Sequence, residues 1–255
     1  IKRSKIRGVE SLCMLCAEDE LGIGPSHEGI VELPADAPVG IAAREYLRVE
    51  DDYLIEIGLT PNRVDAASHI GVARDLAAYL RSRGERTEVK WPDVSAFAVD
   101  NHDLPVAIRV ENHEACPRYV GVTVSGCKIG PSPEWMQNCL RAAGINPKNN
   151  LVDITNFVLF ELGQPLHAFD AAKIEGREVV VRTCAEGTPF VTLDGVERKL
   201  TDKDLMICSA ERPMCIAGVF GGLDSGVSDT TTDVFIESAY FNPCLLYTSD
   251  AADDM

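Results

Sequence analysis

Apolar positions along this 255-residue chain follow two spacings, and the spacing switches several times between the ends. From Leu54, the run LIEIGLTPNRVDAASHIGVARDLAAYLRSRG opens on a short alternating stretch and turns at Thr60-Pro61-Asn62. It then places Ile70, Ala73, Ala77 and Leu80 three or four residues apart. This pattern predicts a strand followed by an amphipathic helix of roughly 17 residues that starts near Asp65. Asp65 is a candidate cap and Gly84 a stop. Arg63 and Arg74 are candidates for a phosphate contact, although arginines on such a helix ordinarily face water.

Further on, strand signals (VAIRV, RYVGVTV, REVVVRT, DVFIE) alternate with a helix over Pro133 to Ala143, capped by Ser132 and ended by Gly144. FVTLDGVERKL predicts a hairpin turning at Asp194-Gly195 with positive φ values. A helix from Leu151 is expected to bury Leu151, Ile154, Val158 and Leu162, beside a partly polar stripe of Val152, Thr155, Asn156 and Leu159. Gly163-Gln164-Pro165 ends it, and His167 follows on the returning chain, within reach of Thr155 and Asn156.

These elements divide the chain. Residues 1–46 are short, Gly- and Pro-punctuated apolar runs, strand-and-loop texture that reads as the end of a β-barrel. Residues 47–99 hold the helical segment and a polar connector, and 100–243 form a mixed α/β domain. Residues 244–255 are a tail. The expected fold class is therefore α+β and multidomain.

The composition, 45% hydrophobic and 25% charged, suits a globular protein with a real core. No run approaches the roughly 18 apolar residues of a membrane span, and IKRSKIRGVE lacks the apolar stretch of a signal peptide, so the expected setting is cytoplasmic, with no membrane partner. Nine scattered cysteines read as reduced small hydrophobes, and the isolated Cys13-x-x-Cys16 has no second pair to complete a metal site. A net charge of −16 disfavours nonspecific nucleic-acid binding, DNA included. Any RNA contact must be local, and Lys2, Arg3, Lys5 and Arg7 form the one basic cluster.

The candidate chemistry centres on Thr155, Asn156 and His167. The structural alternative is that Thr155 bonds its own helix backbone, Asn156 caps a neighbouring loop and His167 is a satisfied core or turn residue. A second candidate is Ala217-Gly218-Val219-Phe220-Gly221-Gly222, followed by a polar loop and the strand ending in Glu237. Its spacing fits neither GxGxxG nor GxxxxGK[ST], so the glycines either admit a ligand or turn tightly. No GxSxG is present, which favours water over a protein nucleophile in any hydrolysis.

VDITNFVLFELGQPLHAFD, CIAGVFGGLDSGVSD and IESAYFNP together resemble the β subunit of bacterial phenylalanine–tRNA ligase, in its editing domain. IRGVESLCMLCAEDELGIG is similar to the end of that subunit's OB-fold tRNA-binding module, and LTPNRVDAASHIGVARDLAAYL to the helical segment after it. The resemblance runs from about Ile1 to Pro243. Cys13 stands where the family usually has glycine. CLLYTSDAADDM does not resemble the family's continuation, which carries a Thr-x-Ala element bordering the editing pocket, and it reads as an artefactual end.

The resemblance implies hydrolysis of mischarged Tyr-tRNA(Phe). An apolar pocket rejects an added hydroxyl by only about 10²-fold, so selectivity needs a second site. It implies that Glu237 recognises the tyrosine hydroxyl, that Gly218 and Gly221 keep the pocket open, and that His167, Thr155 and Asn156 orient the terminal adenosine and an attacking water. It also implies tRNA(Phe) and an α subunit in an (αβ)2 assembly as partners. ATP and Mg²⁺ serve the whole ligase on the α subunit, with no cofactor or metal on this segment. The alternative is a noncatalytic tRNA-binding or assembly module of the same ligase.

Overall fold

The structure, a computed structural model, describes residues 4–6, 9–11, 15–21, 23–24, 26–47 and 52–247. Contacts divide the chain into two compact units, Ile1–Tyr53 and Leu54–Met255. The first holds an antiparallel pair, β1 (Ser4–Ile6) and β2 (Val9–Ser11), and two one-turn helices, α1 (Glu18–Leu21) and α2 (Ala43–Tyr46). No closed barrel forms among the described residues. Lys2, Arg3, Arg7, Cys13 and residues 248–255 lie outside those described.

The second unit begins with the helical segment. The apolar run at Leu54–Leu59, expected as a strand, has no ladder partner among the described residues and is exposed. A 3-10 turn at Val64–Ala66 precedes α3 (His69–Ser82). The helix thus starts later than its periodicity suggests, because Ser68 is the cap, accepting from Gly71 N–H at 3.1 Å. Asp65 instead pairs with Arg63, which also reaches Asp75, and Arg74 donates to the Asp65 carbonyl.

The remainder is built from β3 (Ala107–Val110), β4 (Arg118–Val124), α4 (Glu134–Ala142), α5 (Asn150–Leu162), β5 (Leu166–Asp170), β6 (Glu178–Thr183), β7 (Pro189–Val191) and β8 (Glu197–Lys199). These are followed by β9 (Leu205–Cys208), β10 (Pro213–Ile216), β11 (Phe220–Gly221), β12 (Val234–Tyr240) and α6 (Pro243–Tyr247). One sheet has the order β11-β10-β9-β6-β3, with only the β3/β6 pair parallel. The other, β4-β12-β5, is antiparallel throughout. Between them lies the core: Phe169 and Phe235 from the small sheet pack with Val179, Val181, Ile207 and Cys215 from the large one. The fold class is accordingly mixed α/β.

Local details depart from the sequence expectation for physical reasons. α4 has no side-chain cap, because the Ser132 hydroxyl donates to Asp153 on α5. Asn149 caps α5 by accepting from Val152 N–H. Ile154, expected in a core stripe, is 40% exposed, and the buried member of α5 is Asp153, held by Ser132 and the Lys148 amide. The Asp194-Gly195 hairpin has a positive φ only at Gly195 (+79°). Thr192 and Val196 close a three-residue loop, the geometry of a type I turn followed by a left-handed glycine.

Gly121 stands directly across from Glu237 in the β4/β12 ladder, and the Phe235 ring fills the space its side chain would take. Phe235 is buried and cannot swing away. Gly121→Ala is therefore expected to lower unfolding stability by about 1–3 kcal/mol. In denaturant titration, adding Phe235→Leu to Gly121→Ala should recover part of the loss; additive losses would refute the overlap.

Candidate active site

The α5–β5 corner brings the histidine into the sheet. Gly163, at φ +75°, ends α5 in the left-handed conformation, and the chain enters β5 three residues later. β5 lies against β12 in a register that pairs His167 with Glu237 and Phe169 with Phe235. Directly opposed residues of an antiparallel pair share a face, so His167 and Glu237 both project to the side occupied by the two phenylalanines. The His167 and Phe169 rings meet edge to face, with centroids 4.4 Å apart.

Glu237 is only 6% exposed. Its Oε2 accepts the phenolic hydrogen of Tyr119 at 2.7 Å, across the β4/β12 ladder. Burial raises the carboxyl to about 7, and the Tyr119 bond moderates that rise. Burial lowers His167 to about 4, and its Nε2 is buried with no hydrogen-bond partner. Cys215 and Cys116 are both pushed upward, first by burial and then by the Glu237 charge, Cys116 to about 11. Tyr119 is held protonated by burial and by the same charge. The cluster at neutral pH is thus a neutral imidazole, a phenol donor, two thiols and one carboxyl poised to titrate.

Among the glycines, Gly221 touches this cluster. A Cβ there would stand 2.9 Å from His167 Cε1 and 2.8 Å from Leu193 Cδ1, so its absence is what lets the β10–β11 hairpin lie beside the imidazole. Gly218 lies in the turn of that hairpin at φ +70°, where a Cβ would meet Phe241 and Leu246 instead. The Thr155 hydroxyl donates to the Val152 carbonyl of its own helix at 2.8 Å. Among the described residues no hydrogen bond joins Thr155 or Asn156 to His167. Tyr119 has no motif to announce it from sequence; the one available signal is its place in the alternation of RYVGVTV, which puts Tyr119, Gly121 and Thr123 on one face.

Residues 115–252 match the family model described as the B3/4 domain. The chain is 63% identical over 243 residues to the phenylalanine–tRNA ligase β subunit of Bacteroides fragilis, covering 95% of this chain and 30% of the relative. It is 59% identical over 247 residues to that of Porphyromonas gingivalis, covering 96% and 30%. The chain therefore spans about 30% of the length of the curated relatives it matches. An N-terminal fragment of the phenylalanyl-tRNA synthetase β subunit from Pyrococcus horikoshii aligns with a TM-score of 0.42 at 18% identity, over 71% of this chain and 53% of that one. No helix among the described residues is long and apolar enough to cross a membrane.

The two shifted groups make opposite demands on stability. His167, lowered from 6.5 to about 4, binds its proton in the unfolded chain first, so its contribution weakens folding as pH falls through that window. Glu237, raised from 4.5 to about 7, binds its proton in the folded chain first, so its contribution weakens folding as pH rises through its own window. Between 4.5 and 6.5 the two nearly cancel. Glu237→Gln should then gain stability relative to the parent as pH rises there, by about 1.4 kcal/mol per unit, and His167→Asn should lose it at a similar slope. Chemical denaturation across that range reads both slopes; parallel curves for parent and variants would contradict the burial of either group.

Proposed function

The chain belongs to the B3/4 domain family, in the form carried by phenylalanine–tRNA ligase β subunits, and on that premise we propose that it hydrolyses mischarged Tyr-tRNA(Phe) in support of phenylalanine charging. The observation that carries the reading is the cross-strand pair of Glu237 and His167 on one buried face, with Nε2 of the imidazole unpartnered. A buried polar atom left without a partner costs free energy that a ligand or water recovers.

Glu237 is the group that accepts the tyrosine hydroxyl. With phenylalanine in its place, the carboxyl loses that partner, at a cost of roughly 1–3 kcal/mol. An imidazole near pH 4 is a weak base at neutral pH, so the role proposed for His167 is to hold water or the terminal ribose by hydrogen bonding rather than to carry the proton away. Gly221 supplies the room beside it. Thr155 and Asn156, on α5, complete the proposed site by orienting the terminal adenosine, and Gly218 shapes the turn of the β10–β11 hairpin. The reaction is ester hydrolysis with water as nucleophile.

The partners proposed are tRNA(Phe) and an α subunit in an (αβ)2 ligase, whose ATP- and Mg²⁺-dependent charging lies on that other subunit. The strongly acidic chain confines any RNA contact to a local patch. One observation favours the second reading, a noncatalytic tRNA-binding or assembly module: the Thr155 hydroxyl is already committed to its own helix.

Deacylation assays decide between the readings. His167→Ala should slow release of tyrosine from Tyr-tRNA(Phe) by about 10²-fold; an unchanged rate removes His167 from the mechanism, and a parent without activity, within the whole subunit as well as alone, leaves the noncatalytic module. Glu237→Ala should narrow the preference for Tyr-tRNA(Phe) over Phe-tRNA(Phe) by about tenfold or more. A ratio that stays put would end the recognition role.

A further inference from the structure

Glu237 is a buried acid with no cation beside it among the described residues. Four titratable side chains face it: Tyr119 from β4, His167 from β5, Cys215 from β10 and Cys116 from the turn ahead of β4. The imidazole is neutral at neutral pH and both thiols keep their protons, so none of these supplies a compensating charge. The hydrogen bond made to the carboxyl comes from Tyr119, on Oε2. Oε1 has no hydrogen-bond partner among the described residues. A carboxylate offers acceptor sites on both oxygens, and here one is taken by a protein phenol while the other is left over.

Building on the reading of Glu237 given above, we propose that Tyr119 is a specificity-determining positioning residue: by holding Oε2 it aims Oε1 as the acceptor for a second phenol, that of a tyrosyl ligand. The register supports the role. Tyr119 pairs with Ala239 and Gly121 pairs with Glu237, so Tyr119 and Glu237 are diagonal neighbours on one face of adjacent strands. Tyr119 packs against the core formed with Phe235 and Phe169, which keeps its hydroxyl from wandering. The Phe235 ring, lying where Gly121 lacks a side chain, packs on the same face. A carboxyl free to rotate would present either oxygen to water, whereas one pinned at Oε2 is preorganised for a single incoming donor.

The phenol also sets when the carboxyl is charged. Donation from Tyr119 favours the ionised form, so its removal raises the pH at which Glu237 becomes a full acceptor. The experiment compares parent, Tyr119→Phe and Glu237→Gln in the intact protein. It measures kcat and KM for deacylation of Tyr-tRNA(Phe) and Phe-tRNA(Phe) between about pH 5.5 and 8.5.

Tyr119→Phe should lower the tyrosine-over-phenylalanine ratio about tenfold, chiefly through KM for the tyrosyl ester, and should move the pH midpoint of that ratio upward. If Glu237→Gln abolishes the ratio while Tyr119→Phe leaves both its size and its midpoint unchanged, the Tyr119 proposal is overturned and the function proposed above stands. If Glu237→Gln leaves the ratio intact, the recognition reading itself falls, and this proposal with it. Should Tyr119→Phe fail to fold, site-specific 3-fluorotyrosine at 119, a stronger donor of the same shape, should move the midpoint downward; an unmoved midpoint overturns the proposal.

Discussion

Glu237 faces inward from the middle strand of the small sheet, among Phe235, Phe169, Cys116 and Cys215, and the site is organised around the cost of keeping a carboxyl there. Taking such a group out of water is expensive unless it is paired or neutralised. The protein meets that cost in part, with one phenol and a carboxyl that titrates near neutrality rather than with an arginine or lysine. A salt bridge would have filled the acceptor sites and left nothing for a ligand to satisfy. The partly satisfied acid is more costly to the fold, and that residual demand is the physical basis of the recognition role proposed for it.

The same economy governs the neighbouring backbone. Two glycines, Gly121 and Gly221, stand where a side chain would collide with Phe235 in one case and with His167 and Leu193 in the other. They let a strand and a hairpin approach the inward face closely enough to exclude water from Glu237 and His167. Exclusion of water is the largest cause of both displaced pKa values. Packing and electrostatics are therefore one arrangement: loosening either glycine's surroundings would bring both ionisations back toward their solution values.

Outside this face the chain behaves as an acidic protein with local ion pairing. Arg63 shows the pattern, bound to Asp65 and Asp75 at the start of the helical segment. A guanidinium so engaged must be released before it can meet a phosphate, which sets a cost on any RNA contact through that helix.

Much of the fold was legible in local sequence. The ends of α3, α4 and α5 at Gly84, Gly144 and Gly163, the strands β3, β4, β6 and β12, and the hairpin around Gly195 all follow from periodicity and turn chemistry, which depend on neighbours within a few residues. The motifs around His167 and Glu237 were likewise visible as residues, with their roles carried by resemblance. Which distant residues meet was set by the assembled fold. Asp153 rather than Ile154 went inside because Ser132, from ahead of α4, donates to it, and the same bond took Ser132 away from capping α4. The Tyr119–Glu237 bond joins residues 118 positions apart. No local spacing encodes it; it exists because two strands far apart in the chain pair in one register, and pairing register is a property of the assembled sheet.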